Sequence, residues 1–158
     1  MTKAHIGKSI YVATAAPATH DAAGFEALSW VKANGVQQLP QLGVTHADID
    51  VQDLESGRTN RLKGDATGQQ SQMTFRTVSD DTGQGNIRTA AEGFPGTMSV
   101  KIIRGTGTGG APDTGDDVQY ATGYVKDFVE NQGSVTTHEG FSVQFQQNGL
   151  TINATEPA

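Results

Sequence analysis

Thr45-His46-Ala47-Asp48-Ile49-Asp50-Val51-Gln52 alternates without a break. In an extended chain Ala47, Ile49 and Val51 fall on one side, and His46, Asp48, Asp50 and Gln52 on the other. A helix would scatter both sets around its axis. The stretch therefore predicts a half-buried strand with an acidic outer face. Glu55-Ser56-Gly57 reads as the turn that follows, and Thr59 to Lys63 as a strand returning beside it. As a whole, residues 53–68 are polar, hold three glycines and the basic cluster Arg58, Arg61 and Lys63, and are expected to form a long loop.

The same period of two recurs along the chain. Ile10 and Val12 sit in a first strand, Trp30 to Leu39 in a second region that Pro40 and Gly43 end, and Gln69 to Val78 in another with Met73 and Phe75 on one face. Met98, Val100 and Ile102 alternate, Val118 to Val129 forms a long strand, and Phe141, Val143 and Phe145 alternate with Ser142, Gln144 and Gln146. After a turn at Asn148-Gly149, Thr151 to Asn153 closes the chain as a last strand. Residues 15–24 are rich in Ala, Thr, Pro and Gly and read as a turn segment. One short helix is predicted over about 82–93. Asp81 caps it with Gln84 three residues on, Ile87, Ala90, Ala91 and Phe94 recur at helical spacing, and Gly93-Phe94-Pro95-Gly96 stops it. Gly83 and Gly85 in the first turn weigh against it. The expected fold is mainly β, a sandwich or barrel with one flanking helix and long loops at 53–68 and 105–117, in a single domain over 1–158.

Composition narrows the function classes. Leu, Ile, Val and Phe number 31 of 158 residues, close to the level at which chains fail to fold alone, which suggests stability drawn partly from association. No run is long and apolar enough to span a membrane, and the N-terminus lacks the apolar core of a secretory signal. The absence of Cys removes disulfides, thiol catalysis and Cys-zinc sites. The net charge of −6 argues against tight nucleic-acid binding, and all of it arises in residues 111–158, which carry seven acidic side chains and one basic.

No chemical motif survives its structural requirements. Gly105-x-Gly107-x-x-Gly110 has the spelling of a dinucleotide loop, but no helical pattern follows and Asp113, Asp116 and Asp117 would repel a phosphate. Those three aspartates do not have calcium-loop spacing. His46, Asp48 and Asp50 share a strand face, but its ends lie roughly 13 Å apart at about 3.3 Å per residue. His5, His20 and His138 stand in polar surroundings with no Gly-x-Ser-x-Gly elbow to serve. Asn153-Ala154-Thr155 spells a glycosylation acceptor without a secretion signal. Catalytic, cofactor and metal sites are therefore expected to be none.

Several stretches together resemble the major tail tube proteins of long-tailed (siphovirus-like) bacteriophages and of gene transfer agents. They are Ile6-Gly7-Lys8-Ser9-Ile10-Tyr11-Val12-Ala13, Trp30-Val31-Lys32-Ala33-Asn34-Gly35-Val36, and Thr45 to Leu54 running into Gly57-Arg58-Thr59. Ala121-Thr122-Gly123-Tyr124-Val125-Lys126-Asp127-Phe128 and Glu139-Gly140-Phe141-Ser142-Val143-Gln144-Phe145 complete the pattern, with 105–117 as an insertion. The resemblance implies a non-enzymatic virion subunit, assembled in the host cytoplasm into hexameric rings that stack into a hollow tube with an acidic lumen, which conducts DNA from the capsid to the host. Its partners would be further copies, a tape-measure protein, and tail terminator and distal tail proteins, with DNA passing through unbound. On that footing Asp48, Asp50 and Gln52 are expected to face the lumen, and Arg58, Arg61 and Lys63 to form a ring-stacking loop. A contractile-tail or type VI-like tube subunit and a head–tail connector share the architecture. A carbohydrate-binding or adhesive β-sandwich is the more distant rival, and Trp30 is the only Trp available for its aromatic platform.

Overall fold

Two strands of three residues each decide the architecture. In the computed structural model, which describes residues 7–105 and 113–156, the elements run β1 (Lys8–Ala13), α1 (Ala22–Glu26), β2 (Val31–Ala33), β3 (Val36–Gln38), β4 (Val44–Asp53), β5 (Arg58–Gly68), β6 (Gln70–Arg76), α2 (Thr82–Glu92), β7 (Thr97–Arg104), β8 (Asp117–Asn131) and β9 (Gly140–Thr155). Seven strands pair in the order β2-β1-β7-β8-β9-β6-β3, every neighbour antiparallel. The two edges, β2 and β3, are consecutive in the chain and separated only by Asn34-Gly35. Two residues can span no more than about 10 Å from one strand end to the next. The sheet therefore curls until its edges meet, as a nearly closed barrel.

Helix α2 rivets that seam. The Asp81 carboxylate caps the helix at Gln84 N (3.0 Å) and also accepts from Asn34 N (3.1 Å) and Asn34 Nδ2 (2.5 Å). Gln84 is buried, and its amide does not return to the cap as a capping box would. Its Nε2 donates to Asn34 O (2.5 Å) and Arg76 O (2.8 Å), and its Oε1 accepts from Val78 N (3.1 Å). Gly83, which weighed against the helix in the sequence, is needed for it. A Cβ there would lie 2.3 Å from Lys32 O, so only glycine lets the helix press on β2.

The barrel interior is filled by alternate residues of the curled sheet. Ile10, Val12, Met73, Phe75, Met98, Val100, Val143 and Phe145 are fully buried there, with Ile87 of α2 among them. A second core lies on the outer face of β7 and β8. Phe25 of α1 stacks on Tyr120 with ring centres 5.3 Å apart, over Ile103 and Val118. Six consecutive residues of β7 are consequently buried, because both of its faces are covered. On that outer face Lys101 pairs with Glu156 at 2.8 Å.

Several expectations change. The turn segment expected over 15–24 gives way at Ala22 to helix α1; five residues are too few to show a helical period, and its N-cap Asp21 (accepting from Gly24 N at 2.7 Å) is the local signal. The helix over 82–93 is present as Thr82–Glu92, but Phe94 lies beyond it and is fully exposed. The region Trp30–Leu39 is two strands broken at the seam. Thr151 to Asn153 is not separate, since β9 runs from Gly140 to Thr155 and absorbs Asn148-Gly149 as an irregularity opposite β8. The loop placed at 53–68 is largely strand β5, with only 54–57 as turn. Most of the loop placed at 105–117, including most of the glycine pattern, lies outside the described residues, and Asp117 already belongs to β8.

Candidate functional site

Strands β4 and β5 form a two-stranded sheet of their own, apart from the barrel. Their pairing sets the faces. Asp48 stands opposite Lys63, Asp50 opposite Arg61, Gln52 opposite Thr59, and on the other side Ile49 opposite Leu62, Val51 opposite Asn60 and Asp53 opposite Arg58. Between His46 and Asp48 the register shifts, one residue of β4 facing two of β5.

The half-buried strand expected from the alternation is not what forms. Nearly every position of both strands is exposed. Ile49 remains 50% exposed, Val51 43% and Leu62 56%, a continuous apolar stripe that nothing among the described residues covers. At the tip Leu54 is 96% exposed. The tip itself is well made. Gly57 N donates to Asp53 O (2.9 Å), and the Asp53 carboxylate accepts from Glu55 N (3.0 Å). Hydrogen bonds from the Ser56 side chain and from the Glu55 and Ser56 amides hold the Asp53 carboxyl below its ordinary range.

The hairpin meets the rest of the fold chiefly at its root, on β9. The fully buried Gln147 accepts there from Gly43 N (2.8 Å) and donates to Gly149 O (3.1 Å) and Thr151 Oγ1 (2.9 Å). Gln146 Nε2 donates to Gly68 O (2.8 Å). A Cβ on Gly68 would lie 1.7 Å from Gln147 O, so the strand can cross β9 here only as glycine. The alternation places Gln146 on the polar side of a strand and says nothing of Gln147, and no spacing marks either as an anchor.

The two sets of residues singled out for separate roles thus come together. Asp48, Asp50 and Gln52 share one face with Lys63 and Arg61, and Arg61 Nε lies 3.3 Å from Asp50 Oδ1. Both partners of that ion pair are well exposed, so it contributes about 0–1 kcal/mol. The ionised side chains of this face sum to zero. Arg58 is separated from the other two bases and lies beside Asp53, on the side of the apolar stripe. Because antiparallel partners share a face, the split follows from the turn position alone.

A nearly closed barrel whose two edge strands adjoin, with a long hairpin rooted on one strand and projecting from it, is a distinctive arrangement. The fold is that of a tail tube. Over 96% of this chain and 78% of that one, it matches the SPP1 tail tube with a TM-score of 0.61 at 15% identity. It matches the tail of an empty gene transfer agent particle, refined helically with C6 symmetry, with a TM-score of 0.57 at 13% identity, over 95% of this chain and 97% of that one. No family model matches the sequence, and no curated protein does. At such identities the likeness to tail tubes is one of fold, carried by backbone course rather than by shared side chains. Within this tail-tube fold, no group of three His, Asp or Glu among the described residues is placed to hold a metal ion.

Proposed function

We propose that the protein is the structural subunit of a tail tube in a phage-like particle. Copies form hexameric rings that stack into a hollow tube, and the tube conducts DNA. The observation that carries this reading is the projecting hairpin with its uncovered stripe of Ile49, Val51 and Leu62. A lone two-stranded hairpin is marginal in water, and one with an apolar face exposes a surface that costs free energy until something covers it. Covering each half-exposed side chain contributes roughly 1 kcal/mol, repeated at every subunit. A contact between a hairpin and a different surface of the next copy is heterologous, the kind that gives rings and open filaments rather than closed dimers.

In this arrangement the stripe turns to neighbouring copies and the opposite face, with Asp48, Asp50 and Gln52, turns to the channel. Lys63 and Arg61 stand beside those carboxylates, so the channel surface contributed by the hairpin is charge-balanced rather than acidic. Such a surface neither collects phosphates nor repels them strongly, which suits passage without binding. The tape-measure, terminator and distal tail proteins belong to the same reading as partners, and the virion tail as location.

Electron microscopy of the purified chain tests it. Hollow tubes or rings are expected, and a monomer at every concentration and salt tried would overturn the reading. Asp48→Lys with Asp50→Lys turns the channel face into four cations per subunit. Tubes should still form, and DNA delivery by particles carrying the change should fall; undiminished delivery would remove this face from the channel.

A further inference from the structure

The hairpin tip has a complementary cavity elsewhere on the same chain. It measures about 190 Å³ and opens between the start of α2, the end of β6 and the facing ends of β8 and β9. Its apolar wall is Phe128 and Phe141, stacked with centres 5.0 Å apart. Its charged lining is Asp80, Asp81, Arg88, Glu130 and Glu139. Three of these are engaged. Asp81 caps α2 and holds Asn34, while Arg88 pairs with Glu130 at 3.4 Å and with Glu92 at 3.2 Å and lies over the Phe128 ring. Asp80 and Glu139, both exposed, are left as the acidic rim.

The tip offers the converse chemistry. Leu54 projects almost fully exposed, and Arg58, the base that the hairpin's pairing separates from Lys63 and Arg61, lies at the same end. Its own cross-strand partner, Asp53, is occupied by the amides of the turn. We propose that the hairpin tip of one copy seats in this cavity of a second copy, Leu54 against Phe128 and Phe141 and Arg58 between Asp80 and Glu139. This rests on the self-assembly reading above and names the surface that receives the hairpin. A guanidinium between two carboxylates against an aromatic wall loses little by partial desolvation and gains direction from its planar donors.

Charge reversal tests it in the full chain, with assembly read by sedimentation and microscopy and folding by circular dichroism. Arg58→Glu should reduce the pelleted fraction about tenfold, and Asp80→Arg with Glu139→Arg should do the same. The chain carrying all three changes should recover most of it. Wild-type assembly of Arg58→Glu, or no recovery in the triple variant, would overturn the inference while leaving the tube reading intact; failure of the unmodified chain to assemble would overturn both. Because the chain has no Cys, a second measurement is clean. Leu54→Cys with Glu139→Cys should give a ladder of disulfide-linked species on oxidation, and Leu54→Cys with Glu26→Cys should not. Absence of the ladder from the first pair, in tubes that form, would also overturn the inference.

Discussion

Strands β4 and β7 carry the same kind of alternation and meet opposite fates. In β7, Met98, Val100 and Ile102 enter the barrel, while on the outer face Ser99 donates to Ala15 O, Lys101 pairs with Glu156 and Ile103 joins the second core, so six positions in a row are buried. In β4, Ile49 and Val51 alternate as cleanly with Asp48 and Asp50, yet both faces meet solvent. Alternation reports that one face of a strand is suited to cover. It does not report whether the cover comes from the same chain. The difference between the two regions divides the molecule into a part whose apolar faces are covered within the described residues and a part whose apolar face is not.

The sharpest way to break this comparison is to cut a side chain from each region. Phe75→Ala removes a fully buried ring that stacks on Phe141 at 5.2 Å, and should cost about 3–5 kcal/mol in denaturant unfolding. Ile49→Ser with Leu62→Ser should change unfolding by only about 0.5 kcal/mol per site and yet abolish assembly. A large loss of protomer stability from the hairpin pair would show that the stripe is covered within the chain after all.

A smaller effect is expected at the seam. Gln84→Ala leaves Val78 N–H and the carbonyls of Asn34 and Arg76 without the amide that joins them, which should cost about 1–3 kcal/mol. Hydrogen exchange should quicken first at β2 and β3, the strands the seam joins. Uniform loosening would mean that the barrel is closed by its core rather than by this side chain.

The next test uses pH on the barrel side only. Burial, with smaller contributions from the charges of Glu156 and Glu26, pushes the Tyr120 hydroxyl up to about 12 from its ordinary 10. The raised value means that the neutral phenol is favoured in the folded state. Its stabilisation is complete below pH 10 and is lost as pH rises from 10 through 12. Tyr120→Phe should therefore extend the alkaline limit of unfolding. Its effect near neutrality should be slight, because this buried hydroxyl has no hydrogen-bond partner among the described residues. An unchanged alkaline limit would place the responsible group elsewhere. The smallest change is expected on the hairpin, where Arg61→Ala should alter protomer stability by less than about 1 kcal/mol.

Much of this was legible beforehand. The strands around Ile10, Val12, Met73, Phe75, Val100 and Phe145 could be read because their neighbours in sequence point to solvent or to a second layer, so period two survives. The cap at Asp81 could be read because it acts within one turn. Even the meeting of Asp50 with Arg61 was within reach, since a turn at 54–57 dictates the pairings from Asp53–Arg58 back to Asp48–Lys63, before the register shifts. The roles of Gln84, Gln146 and Gln147 were not, because each joins segments distant in sequence and glutamine carries no signal of the distance it bridges. Gly83 was misread for the same reason. Its lack of a side chain answers Lys32 O, a neighbour that only the folded chain supplies.

By itself, then, the sequence determined that this protein is built largely of alternating strands, that a helix capped by Asp81 interrupts them, and that its charge gathers in the last third. Local sterics and the two-residue pleat suffice for that. Only the tertiary structure decided that β2 and β3 meet at the seam of a nearly closed barrel, that acidic and basic residues assigned to different surfaces share one face, and that the stripe of Ile49, Val51 and Leu62 is left open among the described residues. Closure, pairing and cover depend on which segments meet, and contacts between distant segments are written in no single stretch of the chain.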